Sequence, residues 1–232
     1  MTKNSMLHVT RGTRWFLCLL AVAIPLTVAG LVLMFGVNAP YSDEWELVTL
    51  FSRHAQGLLG FQDLWAQHNE HRLFFPRLLF LALGLPGHFN VVWYMVASQV
   101  IAGIILLVGI IHLRRDHAQD TGSIWAGLGP VFLALCLFSP VQYQNQLWGF
   151  QLQWYLNLLA VYLGASVLAA RHLGIVGITA LTGCAFLALF SLSSGAAFLP
   201  LALVLILARG LKLREPRPWR RCLVWTAIAT AL

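Results

Sequence analysis

An adjacent pair of carboxylic acids, Asp43 and Glu44, lies directly after the first long apolar run of the chain. One carboxylate is suited to act as a general base on a substrate hydroxyl, and its neighbour to bind a divalent cation or to position the acceptor. Helix capping is the alternative, since Asp43 and Glu46 have the spacing of a capping box and acids stabilise a helix N-terminus. We expect the capping role for Glu46 and take Asp43 and Glu44 as the candidate catalytic residues.

A second polar group, with the sequence His-Asn-Glu-His-Arg, covers residues 68–72. If this segment is helical, His68, His71 and Arg72 share one face, because residues three and four positions apart are neighbours on a helix. That face continues as an apolar stripe that would anchor the helix on a bilayer surface, formed by Phe61, Leu64, Trp65 and Phe75. The candidate substrate-binding residues of this stretch are His68, Glu70, His71, Arg72 and Arg77.

The two arginines of that set, Arg72 and Arg77, suit a phosphate or pyrophosphate, because a guanidinium offers a planar fork of hydrogen-bond donors. The alternative is that both arginines extend to lipid headgroups without specificity. Two imidazoles three residues apart, His68 and His71, are by themselves a weak indication of a metal site. The sequence therefore leaves a divalent cation open as a cofactor and identifies no metal ligands.

A third group, residues 142–157, combines uncharged amides with aromatic rings. Amides hydrogen-bond to sugar hydroxyls, and aromatic rings pack against the flat faces of sugars. The competing interpretation is an aromatic belt at the membrane surface, which would account for Trp148, Trp154 and Tyr155. We take Gln144, Asn145 and Gln151 as candidate substrate-binding residues.

The composition indicates the solvent in which these groups must be positioned. Of 232 residues, 59% are hydrophobic and 10% are charged, whereas soluble domains carry about 25% charged residues. The net charge of +7 does not indicate nucleic-acid binding, because the basic residues lie at the ends of apolar runs, which is a topology signal. No cysteine or histidine spacing is typical of a zinc site or a disulfide framework. We therefore predict an all-α, polytopic transmembrane bundle.

The apolar runs predict six full membrane spans and the beginning of a seventh, within a single transmembrane domain covering residues 1–232. An apolar run of about 20 residues crosses the ~30 Å hydrocarbon layer as a helix. The first run is also longer than the core of a cleaved signal peptide, so we predict a retained anchor. The predicted spans are 15–37, 91–113, 123–139, 152–170, 173–192 and 196–208, followed by a partial span over 222–232 that suggests a truncated part of a longer protein.

Charge distribution predicts the direction of these spans. Three of the 15 Lys and Arg residues, Arg53, Arg72 and Arg77, lie in predicted outer loops, and the other 12 lie in predicted cytoplasmic segments. This asymmetry follows the positive-inside rule and predicts 14 cytoplasmic residues at the N-terminus. Residues 38–90 then form an outer loop, in which the short apolar segment 73–86 is an interfacial or re-entrant helix.

With these features the chain resembles the GT-C superfamily of polytopic glycosyltransferases, particularly bacterial membrane proteins of the glycosyltransferase 39 and RgtA-D-like kind. The matching features are a cytoplasmic N-terminus, one span, and a large outer loop that begins with an acidic pair and contains interfacial helices. The resemblance implies that Asp43 or Glu44 serves as the catalytic base or as a metal-site ligand. One feature of the family is missing, because residues 140–151 contain amides and no second acidic motif.

The resemblance also implies a reaction, partners and a location. A polyprenyl-phosphate sugar would be the donor and a glycan or lipid the acceptor, with inverting transfer at the outer face of a bacterial inner membrane. Cationic groups would stabilise the departing lipid phosphate. The alternatives are a non-catalytic flippase or transporter for a lipid-linked saccharide, and an accessory membrane subunit. A transport pathway through the spans is disfavoured, because the span interiors hold almost no ionisable groups.

Overall fold

A computed structural model describes residues 10–116, 124–169, 173–212 and 219–232, and this part of the chain is almost entirely helical. Short 3₁₀ turns cover Ser42–Glu44, Pro140–Gln142, Gly149–Gln151 and Ser193–Ala197. The α-helices are α1 (Arg11–Phe35), α2 (Trp45–Ala55), α3 (Phe61–Trp65), α4 (Phe74–Gly84), α5 (Val92–Asp116), α6 (Trp125–Leu137), α7 (Tyr143–Leu147), α8 (Leu152–Ala169), α9 (Ile175–Leu189), α10 (Phe198–Lys212) and α11 (Trp219–Ala231).

Within this described part, four helical stretches are long and apolar enough to cross a membrane. They are Arg11–Phe35, Val92–Arg115, Gly149–Ala169 and Ser193–Lys212. They coincide with the predicted first, second, fourth and sixth spans, so the prediction of a polytopic helical protein is confirmed. The predicted third and fifth spans correspond to α6, of 13 residues, and α9, of 15 residues. Helix length therefore does not establish the count of six spans.

The chain folds into two compact units, each built from separate stretches of sequence. The first unit comprises Met1–Glu44 and Asn90–Gln151. Its α1 packs against α6 through a small apolar cluster formed by Leu17, Ala21 and Val131. Gly127 permits this approach, because a Cβ there would lie 2.6 Å from Leu17 Cδ1.

The second unit comprises Trp45–Phe89 and Leu152–Leu232. Its apolar core lies among α8, α9, α10 and α11 and includes Leu181, Phe198 and Trp225, each almost fully buried. Gly164 on α8 accommodates the Phe198 ring, since a Cβ at this position would lie 2.3 Å from Phe198 Cζ. The indole N–H of Trp225 donates to the carbonyl of Leu199 at 3.0 Å, which satisfies a polar group inside the core.

The short apolar segment predicted over 73–86 forms α4, which has 11 residues and lies outside the four candidate spans. At 1.5 Å per residue it reaches about 16 Å, roughly half of the hydrocarbon thickness. Pro76 lies in its first turn, where a missing N–H removes no intrahelical hydrogen bond. Pro86 follows its C-terminus, where it limits continuation of the helix.

The condition of a helix over residues 68–72 is not met, because this segment is a tight antiparallel hairpin. Strand β1 (Gln67–His68) pairs with β2 (His71–Arg72), in a register that places His68 opposite His71. Asn69 begins the two-residue turn with φ of 48°, a left-handed conformation that asparagine tolerates better than most residues. Because alternate strand residues face opposite sides, Arg72 does not share a face with the two histidines.

Candidate functional site

Glu44 is a buried carboxylate that binds two separate backbone segments of the first unit. Its Oε2 accepts the N–H of Tyr41 at 2.8 Å, and its Oε1 accepts the N–H of Phe150 at 3.0 Å. The side chain is 1% exposed. Gly149 makes this approach possible, because a Cβ there would lie 2.8 Å from Glu44 Oε1 and 2.9 Å from the carbonyl oxygen of Val91. Glu44 therefore fixes the acidic segment to the turn that precedes α8.

Burial determines the ionisation of Glu44. Desolvation raises the pKa of Glu44 above its usual value of 4.5, and the N–H groups of Tyr41, Phe150 and Gly149 offset part of that rise. Desolvation disfavours the charged form, whereas donated hydrogen bonds favour it. Because the side chain is buried and both carboxylate oxygens already hold backbone N–H groups, Glu44 is poorly placed to take a proton from a substrate.

Asp43 lies in the same 3₁₀ turn and is only partly buried. Its Oδ1 accepts a hydrogen bond from the Ser42 hydroxyl at 3.3 Å. Ser42 itself has φ of 50°, a conformation that costs roughly 1–2 kcal/mol for a residue with a Cβ. Residues held in strained backbone conformations are common at functional sites.

The amide-rich segment also belongs to the first unit. The indole N–H of Trp148 donates to the carbonyl of Tyr41 at 3.3 Å, and the two rings meet edge to face with centroids 5.8 Å apart. Gln151 is buried, and its Oε1 has no hydrogen-bond partner among the residues that the structure describes. Gln144 and Asn145, the other two predicted ligands of this segment, lie exposed on α7. The structure thus brings Glu44 and the 149–151 turn together and leaves Gln144 and Asn145 at the surface.

In the second unit, His68 is buried and paired with Glu46. The His68 Nδ1 lies 2.5 Å from Glu46 Oε2, and its Nε2 lies 3.3 Å from the side-chain nitrogen of Asn69. This contact connects the hairpin to the first turn of α2. Glu46 makes this contact in place of the predicted capping role, and it is Glu44 whose carboxylate reaches back three residues to a backbone N–H.

His71, the partner of His68 in the hairpin, faces a different neighbour. Its Nδ1 accepts the backbone N–H of Ser193 at 3.2 Å. A second link close by joins the two chain segments, because the N–H of Phe75 donates to the carbonyl of Phe190 at 3.3 Å. The hairpin and the start of α4 are therefore attached to the turn between α9 and α10, for which the sequence predicted only a tight helical connection.

The two predicted phosphate ligands, Arg72 and Arg77, lie in different environments. Arg77 is buried, and its Nη1 donates to the carbonyls of Leu64 and Ala66. Burial lowers the pKa of Arg77, while the carboxylates of Glu46 and Asp63 oppose that shift. Arg77 therefore holds the polypeptide between α3 and β1 in place.

Arg72 is exposed at the surface of the same unit. Its guanidinium lies 5.5 Å from the centroid of the Trp65 ring, and its Nη1 donates to the Trp65 carbonyl at 3.1 Å. Attraction to the aromatic face restrains the guanidinium, and its exposed position makes it accessible from solvent. Arg72 therefore fits the predicted phosphate contact better than Arg77. Glu70, at the turn of the hairpin, is exposed as well.

Sequence reasoning missed the pairing of Glu46 with His68 and the role of Ser193, because each involves residues far apart in sequence. The one local signal was Asn69, a residue type that favours turns. Among the described residues, no three His, Cys, Asp or Glu side chains come together as a metal-binding group. No protein-family model, curated protein or solved structure matches the chain.

Proposed function

We propose that the protein is a membrane glycosyltransferase of the GT-C kind, transferring a sugar from a polyprenyl-phosphate donor at the outer face of the membrane. The proposal rests on one observation: an acidic pair, set in a strained turn after the first candidate span, has one carboxylate engaged by the backbone and the other partly open to solvent. Asp43 is the general base of this proposal, and Glu44 is a positioning residue that holds Asp43 in place.

The reaction follows from these roles. Asp43 accepts the proton of the acceptor hydroxyl while the hydroxyl oxygen attacks the anomeric carbon. The bond between the anomeric carbon and the donor phosphate oxygen breaks, and its electron pair leaves with the lipid phosphate. Attack from the face opposite the leaving group inverts the configuration of the sugar. A well-placed general base contributes about 10²–10⁴-fold to the rate of such a step.

In the second unit, Arg72 is the candidate contact for a phosphate group. Its planar guanidinium provides several donors, and the ring of Trp65 restricts its orientation. Both contacts of Arg72 are with Trp65, within the second unit.

The proposal includes six membrane crossings. Contacts within the first unit support the third crossing, which is that of α6. Asn38 Oδ1 accepts the N–H of Val91 at 3.0 Å, and Glu44 accepts that of Phe150. Segments in contact outside the bilayer lie on one membrane face, so an even number of crossings separates residues 91 and 150. If α5 crosses, these contacts favour a return crossing through α6.

Contacts within the second unit support the fifth crossing in the same way. His71 accepts the N–H of Ser193, so these residues lie on one face and an even number of crossings separates them. If α5, α6 and α8 cross between them, this contact favours a crossing by α9.

The direct test measures sugar transfer in membranes that contain wild-type protein or a variant, supplied with undecaprenyl-phosphate carrying labelled glucose, galactose, mannose or arabinose. Asp43→Asn should lower transfer by about 10²–10⁴-fold. Asp63→Asn is the matched control, because Asp63 lies in the same loop and pairs with Arg53 at 2.8 Å. Undiminished transfer by Asp43→Asn, or no transfer by the wild type with any donor, would contradict the proposal.

A further inference from the structure

Two buried amide side chains of the second unit, Gln153 and Asn157, each have an oxygen without a partner. Gln153 is 5% exposed and Asn157 is 9% exposed. Gln153 Oε1 and Asn157 Oδ1 accept no hydrogen bond from any residue that the structure describes. Both lie in the first half of α8, within the candidate span Gly149–Ala169.

An acceptor left without a donor in this position destabilises the fold. Transferring an amide out of water costs free energy unless a hydrogen bond is made in compensation. At bilayer depth, water is scarce and polar groups in spans usually face a ligand, a pathway or the protein interior. Two such acceptors on a single helix therefore indicate a ligand that supplies donors.

The two amides are aligned. Residues four positions apart lie on one helix face, about 6 Å apart along the axis. The Asn157 amide nitrogen donates to the Ser194 hydroxyl at 3.1 Å, which fixes the side chain beside the turn before α10. Interchanging the oxygen and nitrogen of Asn157 would leave the nitrogen without a partner instead, so one end of the amide is unsatisfied in either orientation.

The chemistry of these two amides favours a neutral ligand with several hydroxyl groups. An ionised phosphate only accepts hydrogen bonds, whereas a hydroxyl can donate to an amide oxygen or accept from an amide nitrogen and therefore satisfies either orientation of the amides. A cation within a span requires a compensating negative charge, and α8 contains no acidic residue. Hydroxyl groups donate hydrogen bonds without carrying charge, and two hydroxyls of one sugar ring can reach two acceptors at this separation.

We infer that Gln153 and Asn157 form a subsite that binds the sugar of the lipid-linked donor through its hydroxyl groups. This inference rests on the proposed function and adds to it the residues that select the sugar. The subsite lies entirely within the second unit, on the face of α8 that continues through the buried Ala160 and Gly164.

The variants Gln153→Met and Asn157→Leu test the subsite, since each replaces the amide with an apolar side chain of similar size. A ligand-binding role predicts weaker donor binding by both variants. For Gln153→Met we expect a thermal unfolding midpoint that is unchanged or higher by about 2–4 °C, because the unsatisfied acceptor is removed, whereas a purely structural amide would give a lower midpoint. Asn157→Leu also loses the hydrogen bond to Ser194, so this variant is compared by binding alone. Leu158→Met, on the exposed side of α8, is the control.

Binding is measured on purified full-length protein in detergent, with undecaprenyl-phosphate hexoses and their singly deoxygenated analogues. For wild type, removal of a contacted hydroxyl should weaken the dissociation constant about fivefold to tenfold. In Asn157→Leu or Gln153→Met, one of the analogues should bind as well as its parent sugar. Undecaprenyl phosphate without a sugar should bind wild type and variants equally.

Three outcomes would overturn the subsite. The first is equal deoxy-sugar discrimination by wild type and both variants. The second is a lower unfolding midpoint of Gln153→Met with unchanged donor binding. The third is a wild-type protein that NaCl stabilises more than choline chloride does, with the difference abolished in Asn157→Leu. The last result would identify a cation site. The proposed function stands and the subsite alone fails if two results are found together. Asp43→Asn abolishes transfer in membranes, and Gln153→Met and Asn157→Leu both keep the deoxy-sugar discrimination of the wild type.

Discussion

The Oε1 of Glu44 lies 3.0 Å from the backbone nitrogen of Phe150 and accepts its N–H. Because Glu44 is buried and holds a second N–H from Tyr41, it joins two segments that flank predicted membrane crossings. The position of Asp43, its neighbour in the same turn, therefore depends on this pair of hydrogen bonds.

The pH dependence of folding should reveal the buried Glu44 carboxyl. Since burial raises the pKa of Glu44 above 4.5, the folded protein keeps a proton that the unfolded chain releases above pH 4.5. The contribution of Glu44 to stability is therefore fully present below that pH and declines as pH rises through the folded-state pKa. Glu44→Gln cannot titrate, so its stability should not show the decline that begins near pH 4.5 in the wild type. Denaturant unfolding in detergent from pH 4.5 upward measures the difference.

Removing the Glu44 carboxylate altogether should destabilise the protein more directly. Glu44→Ala leaves two backbone N–H groups without their acceptor, at about 1–3 kcal/mol each. Denaturant unfolding at constant pH measures this loss. A change below about 0.5 kcal/mol would show that the two hydrogen bonds contribute nothing to folding.

Gly149→Ala should disrupt the packing of the 149–151 turn against the start of α5. A Cβ at Gly149 would lie 2.9 Å from both the Val91 oxygen and Tyr94 Cβ. The first atom belongs to the backbone and the second is bonded to it, so neither can move aside without moving the chain. We expect a loss of about 1–3 kcal/mol, as for other overpacked sites. Gly103→Ala is the matched control, because a Cβ there meets nothing within 4 Å and alanine favours the helix. Equal stability of the two variants would contradict this account.

Arg77→Lys should destabilise the hairpin region, whereas Arg72→Lys should not. Arg77 donates from one nitrogen to two backbone carbonyls, and a lysine ammonium does not reproduce that geometry. We expect a loss of about 1.5–3 kcal/mol for the buried arginine and a change within about 0.5 kcal/mol for the exposed one. Thermal unfolding of both variants measures the difference, and the reverse order would reject the structural role of Arg77.

Cysteine labelling should establish the number of crossings. In a variant with the four native cysteines replaced, new cysteines at Gln144 and Ser194 should react with an impermeant reagent outside the cell. Cysteines at Arg115 and Lys212 should react only after the membrane is permeabilised. Outside labelling at Gln144 combined with inside labelling at Ser194 would show that α9 does not cross.

Apolar length and charge placement were sufficient to predict the long helices and the short α4. These features depend on local composition, which a single sequence displays. The hairpin was not predicted, because the spacing of His68, His71 and Arg72 also fits a helix and the decisive features are the turn at Asn69 and the distant partners Glu46 and Ser193. The acidic pair was identified from its position, but its division into a buried and a partly open member depends on Phe150.

The link between Glu44 and Phe150 also constrains the order of assembly. The two residues are 106 positions apart, so a growing chain that has inserted α1 and completed the polar segment after it still lacks the donor for Glu44. The turn that carries Asp43 reaches its final geometry only after α5, α6 and the segment beyond them have been synthesised. A nascent protein would thus remain without an organised acidic turn until Phe150 has left the ribosome.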